Sequence, residues 1–116
     1  MQVKDNSLYL GGVRAEELLR RHGSPLYVYE EETIRKKYME LLNSIKSEKL
    51  DIYYACKANT NVQILKLMKE LGAGLEAVSE GEVLAALKAG FAADRIMFSC
   101  DNITEEELRF LIRKKI

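Results

Sequence analysis

One lysine, Lys57, stands at the end of an apolar run, where its amine is suited to covalent chemistry. The run over residues 51–57 is rich in aromatic and β-branched residues, which favour a strand. Alternation along a strand would place Tyr53, Ala55 and Lys57 on one face. A lysine that is partly removed from water has a lowered pKa, because desolvation disfavours the ammonium form. The neutral amine is the form that attacks a carbonyl and holds it as a Schiff base.

A second interpretation of Lys57 is a surface lysine just past a strand, with its ammonium in water. Spacing alone favours this interpretation, so the chemical one depends on the residues around the lysine. A metal site is not expected, since the chain has one histidine and its two cysteines match no zinc motif. Cys56 would point away from Lys57 and is predicted to be a packed core thiol, whereas Cys100 should be partly exposed.

Three apolar runs recur along the chain and indicate successive strands. They close at Lys57, Ser79 and Cys100, with spacings of 22 and 21 residues. A short strand, a turn and a three-turn helix fill such an interval, and this alternation is typical of βα units in a parallel sheet. The predicted fold class is therefore α/β.

The same patterns predict the helices that separate these strands. A short strand at residues 8–10 and a helix at 14–21 precede an amphipathic helix at 31–47 and a further helix at 61–71. Two more helices begin at Ser79 and Thr104, each with a capping-box pattern. The residues predicted to face inward are Ile34, Tyr38, Leu41, Leu42 and Ile45 on the first long helix, and Val83, Leu84, Leu87, Leu108, Leu111 and Ile112 on the last two.

Composition excludes several classes of partner. The chain carries 18 basic and 18 acidic side chains, so there is no electrostatic reason to expect nucleic acid or an anionic membrane. No apolar run approaches the roughly 20 residues needed to span a bilayer, and the first residues lack the apolar core of a signal peptide. The simplest expectation is a protein of the reducing cytoplasm.

The residues around Lys57 form one of four short sequence motifs that resemble those of a known enzyme family. Tyr54-Ala55-Cys56-Lys57-Ala58-Asn59 resembles the Tyr-Ala-x-Lys-Ala-Asn signature of the diaminopimelate decarboxylases, which are pyridoxal-phosphate decarboxylases with an alanine-racemase-like barrel. A lone Lys-Ala-Asn would be a weak signal, but four words in the family's order are specific. The other three are Gly23-Ser24-Pro25-Leu26-Tyr27-Val28-Tyr29, which resembles the opening strand, Gly74-Leu75-Glu76-Ala77-Val78-Ser79-Glu80-Gly81-Glu82, which resembles the second strand and its turn, and residues 86–91 with 95–99.

The sequence departs from the family pattern at two places. Glu76 stands where the family usually has aspartate and is one methylene longer. The common Gly-Asn-x-Lys word after the third strand is replaced by Cys100-Asp101-Asn102-Ile103. The second departure makes this loop a poor guide to the choice of substrate.

The resemblance implies the first three or so βα units of a (β/α)8 TIM-type barrel, with parallel strands and outer helices. A complete barrel takes roughly 250 residues, so a chain of 116 is expected to be an N-terminal fragment of a longer enzyme. Residues 1–23 would form an N-terminal segment of a strand and a helix, which in the family packs with a C-terminal β domain. Residues 24–116 would form the first part of the barrel.

The resemblance also implies roles for individual residues. Lys57 corresponds to the catalytic lysine that holds pyridoxal 5'-phosphate, and Ala55 would give the cofactor clearance. Glu76 corresponds to an acid near the cofactor, although a structural ion pair inside the barrel explains it equally well. Ser79 and Glu82 are better explained as helix caps than as catalytic groups. The phosphate loop and the remaining active-site groups come from later in the family's sequence and from a second subunit.

The implied activity is decarboxylation of meso-diaminopimelate, a small amino acid, to L-lysine by a homodimer. Two alternatives remain open at this point. The first keeps the fold and changes the substrate to ornithine, arginine or a carboxylated polyamine. The second is a non-catalytic homologue that regulates a partner enzyme.

Overall fold

A computed structural model describes residues 1–47 and 49–116. The chain forms two compact units, Met1–Ser44 and Ile45–Ile116. Across the described ranges, every helix is too short or too polar to cross a membrane. The predicted division at residues 23 and 24 remains a prediction.

The first unit consists of a small antiparallel sheet and two helices. The predicted strand and first helix are confirmed, and Gly23 ends that helix with a φ of 82° and donates its backbone N–H to Leu19 O at 2.8 Å. Two strands were not predicted. The residues of the first, 2–4, are all exposed and leave no apolar pattern, and the second, 13–14, is only two residues long. The elements are β1 (Gln2–Lys4), β2 (Ser7–Leu10), β3 (Val13–Arg14), α1 (Ala15–His22) and α2 (Glu31–Ser44), with β2 between β1 and β3.

Two predictions in this unit are wrong. Residues 23–29 form no strand, because a strand requires a hydrogen-bonded neighbour and the described chain supplies none in register. Helix α2 ends at Ser44, three residues early, and only Tyr38 of its predicted inward stripe is buried. Leu41 and Ile45 are about half exposed, since apolar spacing gives the direction of a stripe but not the surface that covers it.

The second unit contains a parallel sheet with flanking helices, which confirms the predicted α/β class. The strand order is β4-β5-β6, and the strands end at Ala55, Ala77 and Phe98. These ends keep the predicted spacings of 22 and 21 residues, although each lies two residues before the predicted one. The elements are β4 (Tyr53–Ala55), α3 (Val62–Glu70), β5 (Gly74–Ala77), α4 (Glu80–Ala89), β6 (Ile96–Phe98) and α5 (Glu105–Lys114), with short 3-10 turns at Cys56–Ala58 and Ala93–Arg95.

The core of this unit lies between one face of the sheet and its helices. It contains Cys56, Leu65, Leu75, Ala77, Val83, Ala86, Ala89, Phe91, Ile96 and Leu111. Three leucine and isoleucine side chains that were predicted to face inward are about half exposed or more, namely Leu84, Leu108 and Ile112. Val83 and Leu111 are buried as predicted, and Ala86 and Ala89 of α4 are buried as well, because the buried part of each helix is narrower than its apolar stripe.

A single arginine ties the amino ends of the three parallel strands together. Arg95 precedes β6, and its Nη1 donates to Asp51 Oδ1 at 2.8 Å, just before β4. Its Nη2 donates to Gly72 O at 3.0 Å, just before β5. The guanidinium carbon also lies 5.4 Å from the ring centroid of Tyr53, within the range of a cation–π contact. This end of the sheet is therefore closed by side chains.

Candidate functional site

The carboxyl ends of the parallel strands carry the predicted site residues on the face away from the helices. Leu75 and Ala77 of β5 are buried on the helix side, so alternation places Gly74 and Glu76 on the opposite face. Ala55 of β4 pairs in register with Glu76, and Glu76 pairs with Met97 of β6. We call Ala55, Glu76 and Met97 the site row.

Lys57 lies immediately beyond this row. The strand ends at Ala55, and a 3-10 turn over Cys56–Ala58 carries the lysine past the edge of the sheet. Its side chain is exposed, in agreement with the second interpretation of the sequence, a lysine just past a strand, and not with partial removal from water. The amine is therefore presented to the space beyond the strand ends, where ligands of parallel α/β proteins bind.

The turn that bears Lys57 is held by hydrogen bonds at Asn59, two residues after the lysine. The hydroxyl of Tyr54 donates to Asn59 O at 3.2 Å, and the backbone N–H of Asn59 donates to Cys56 O at 3.0 Å. The side chain of Asn59 accepts from the backbone of Asn61 at 2.9 Å. Asn59 thus fixes the turn through both its backbone and its side chain. The hydrogen bond of the Tyr54 hydroxyl was not predicted from the sequence.

Glu76 and Lys57 are both available to a ligand. Glu76 is half-buried in the sheet, and neither residue forms a hydrogen bond or an ion pair with another side chain in the described ranges. Ala55 offers only a methyl group beside them. An amine just beyond one strand and a carboxylate acceptor on the adjacent strand suit a ligand that has an aldehyde and hydrogen-bonding ring substituents.

Ser79 and Glu82 serve the start of α4. The Ser79 hydroxyl accepts from the backbone N–H of Glu82 at 3.2 Å. The Glu82 carboxylate accepts from the N–H of Val78 at 2.9 Å, one residue before the donor of a standard capping box. Thr104 and Glu107 form the complete reciprocal box at α5, as predicted. The capping interpretation of these serine and glutamate side chains is therefore supported.

The two cysteines differ sharply in their surroundings. Cys56 is fully buried, and desolvation, with a smaller contribution from the Glu82 carboxylate, raises the pKa of its thiol to about 11. Cys100 is exposed beyond the end of β6. Both predictions for the cysteines are confirmed. No group of His, Cys, Asp and Glu in the described part of the chain could hold a metal ion.

This difference predicts selective thiol labelling. At pH 8 a maleimide should modify Cys100 in the native complete protein, because the reacting species is the thiolate. Cys56 should react roughly 100-fold more slowly, since its raised pKa lowers the thiolate fraction and burial blocks access. Peptide mapping after timed labelling measures both rates, with Cys100→Ser as the control. Equal rates at the two cysteines in folded protein would contradict the prediction.

The implied cofactor can be tested against these side chains. Pyridoxal phosphate needs an amine to receive its aldehyde, and Lys57 provides one at an exposed position next to the small Ala55. Glu76 provides a carboxylate in the adjacent strand. The residues present therefore fit the aldehyde end of the cofactor. No glycine-rich turn follows Lys57 in the described ranges to hold a phosphate.

Comparison with known proteins gives a consistent result. Residues 31–116 match the family described as pyridoxal-dependent decarboxylase, pyridoxal binding domain. The diaminopimelate decarboxylase of Methanothermobacter thermautotrophicus is 41% identical over 115 residues, which cover 97% of this chain and 27% of that protein.

Two crystal structures of diaminopimelate decarboxylases in complex with L-lysine are also similar. The structure from M. jannaschii has a TM-score of 0.83 and 33% identity, and the match covers 99% of this chain and 28% of that one. The structure from Helicobacter pylori has a TM-score of 0.80 and 37% identity, covering 87% and 26%. This chain spans little more than a quarter of the length of these relatives. It belongs to the pyridoxal-dependent decarboxylase family, in which it matches the N-terminal portion of the diaminopimelate decarboxylases within the pyridoxal-binding domain.

Proposed function

We propose that this chain is the cofactor-anchoring segment of a pyridoxal-phosphate enzyme that decarboxylates meso-diaminopimelate to L-lysine. The observation that carries the proposal is the exposed amine of Lys57, held on a braced turn beside the site row. The family motif around Lys57 supports the same role as the cofactor-anchoring lysine. The relatives from M. jannaschii and H. pylori were crystallised with L-lysine, the product that the proposed reaction would release.

Lys57 has two functions in this proposal. Its Nζ would hold the cofactor through the aldehyde carbon, and the turn behind it would limit the positions that Nζ can take. When bound, pyridoxal phosphate supplies an electron sink for the electron pair left on the substrate α-carbon as carbon dioxide departs. The Lys57 amine would also accept and return a proton at Nζ during turnover.

Ala55 and Glu76 would shape the space next to Lys57. The methyl group of Ala55 leaves room at the end of β4 for a planar ring. The Glu76 carboxylate, which has no partner among the described side chains, would accept a hydrogen bond from the Lys57 ammonium or from a protonated group of the cofactor. Its extra methylene relative to the family's aspartate would let it reach further from the strand.

The complete enzyme is proposed to be a homodimer of the cytoplasm, with a small amino acid as its substrate and with neither nucleic acid nor membrane as partner. The balanced charge of the chain supports the exclusion of polyanionic partners. Cys56 and Cys100 are both free thiols, which is compatible with a reducing compartment.

The test is a substrate comparison with the complete protein supplied with pyridoxal phosphate. Carbon dioxide release would be measured with meso-diaminopimelate, ornithine, arginine and a carboxylated polyamine at equal concentrations. We expect L-lysine from meso-diaminopimelate, with kcat/KM at least about 100-fold above that for the other substrates. A preference for ornithine or arginine would overturn the proposed substrate. It would leave the proposal of a pyridoxal-phosphate decarboxylase intact. Cofactor binding without turnover of any substrate would favour the non-catalytic regulator, and absence of cofactor binding would overturn the proposal.

A further inference from the structure

The third member of the site row, Met97, has no role in the function proposed so far. It lies in β6 between two residues that pack toward the helices, the buried Ile96 and the partly buried Phe98. Its own side chain is therefore on the opposite face, together with Glu76. Met97 is 47% exposed, so it is not part of the core.

The surroundings of Glu76 are asymmetric because of this arrangement. On the β4 side its register neighbour is Ala55, whose side chain is a single methyl group. On the β6 side its register neighbour is Met97, with a flexible chain of four heavy atoms. Paired residues of adjacent strands lie about 4.8 Å apart, so both neighbours are close enough to limit the rotamers of Glu76. The open side is the one that faces the strand leading to Lys57.

We propose that Met97 is a positioning residue of the cofactor site, which restricts the Glu76 carboxylate to the side of β4 and Lys57. The inference rests on the proposed function, because it assigns Met97 a role at the same site. A thioether suits this role, since it fills irregular space without offering a competing hydrogen bond. The longer reach of glutamate relative to the family's aspartate makes such a restriction more necessary in this chain.

A double-mutant cycle in the complete protein tests whether Met97 acts through Glu76. The variants are Met97→Ala, Met97→Leu and Glu76→Gln, with each Met97 change also made in the Glu76→Gln background. The first measurement is the Kd of the apoprotein for pyridoxal phosphate. The second is the pH dependence of the visible absorbance of the bound cofactor, which a purely structural role would not move. Thermal melts of each apoprotein identify variants that fail to fold.

The expected result is a loss of cofactor affinity that depends on the presence of Glu76. Met97→Ala should weaken cofactor binding about fivefold and shift the absorbance pH profile, because the carboxylate gains freedom. Met97→Leu, which restores the volume, should stay within about twofold of the original protein. In the Glu76→Gln background, Met97→Ala should change the Kd by less than about twofold. Equal losses in both backgrounds would overturn the proposal.

An oxidation experiment tests, without any substitution, whether Met97 lies next to the bound cofactor. Met39 on α2 is 42% exposed, close to the 47% of Met97, and provides a matched control in the same chain. Peroxide would be applied to the complete protein with and without pyridoxal phosphate, and sulfoxide formation at each methionine followed by mass spectrometry. Binding should slow oxidation of Met97 at least about threefold and leave Met39 unchanged.

The two proposals fail in different ways. Equal oxidation of Met97 with and without cofactor, in a protein that binds pyridoxal phosphate and decarboxylates meso-diaminopimelate, would overturn the role of Met97 alone. A complete protein that binds no pyridoxal phosphate would overturn the proposed function, and this inference with it. Protection of Met97 together with a Glu76-dependent loss would support the inference whichever amino acid proves to be the substrate.

Discussion

Substitution of Lys57 by arginine in the complete protein should abolish covalent attachment of pyridoxal phosphate while keeping a positive charge at the same position. A guanidinium stays protonated and therefore cannot attack the aldehyde. Borohydride reduction followed by peptide mapping should find the pyridoxyl phosphate mass on Lys57 of the original protein and nowhere in the variant. Turnover should fall by at least about 10²- to 10⁴-fold, the range for loss of a proton-transferring group alone. Lys57→Ala should behave in the same way.

Lys66 on α3 provides the control for this substitution. It is another exposed lysine in the same unit, and its side chain forms no hydrogen bond or ion pair with a described residue. Lys66→Arg should leave both the reduced adduct and the turnover unchanged. The assignment of Lys57 would fail if the arginine variant kept more than about a tenth of the activity. It would also fail if the adduct of the original protein mapped to a different lysine.

Local patterns in the sequence predicted the elements of the second unit well. The end of each parallel strand could be placed within two residues, because an apolar run followed by a polar turn is a short-range signal. The capping box at Thr104 is equally local, since both of its hydrogen bonds join residues three apart. The strand predicted at residues 23–29 failed for the opposite reason. Its formation depends on a partner strand and not on its own residues.

The site itself depends on pairing between distant residues, and the sequence predicted it only in part. Lys57, Ala55 and Glu76 were predicted from their motifs and remain proposals, whereas Met97 received no role because it is one apolar residue in an apolar strand. The register pairs Ala55, Glu76 and Met97, which are separated by a constant 21 residues. This repeat would have indicated the third member of the row. The exposure of Lys57 agrees with the interpretation that spacing alone favoured, and it follows from a 3-10 turn that replaces the last residues of the expected strand.

Substitution of Gly74 by alanine should destabilise the sheet more than any other single methyl group added to a glycine of the second unit. A Cβ on Gly74 would lie 2.5 Å from Cδ1 and 2.8 Å from Cζ of Tyr53, well inside van der Waals contact. The ring has no simple escape, because Arg95 lies over it and is held by Asp51 and Gly72 O. Overpacking of this kind costs about 1–3 kcal/mol, and we expect the upper end of that range. Thermal or denaturant unfolding of the complete protein measures the change.

Gly81 provides a matched control, because it lies in α4 and a Cβ there would approach only Ser79 Oγ, at 3.8 Å. Gly81→Ala should be neutral or should stabilise by up to about 1 kcal/mol, as expected in a helix. The mechanism is tested by removing the ring. Tyr53→Val removes the ring but keeps a side chain that favours strands, and Gly74→Ala should cost less than about 0.5 kcal/mol in that background. If Gly74→Ala remained just as costly without the ring, the cause would be the backbone of β5 and not the packing of Tyr53. The packing of Arg95 and Tyr53 at the amino end of the sheet would then contribute less to the stability of the sheet than their contacts imply.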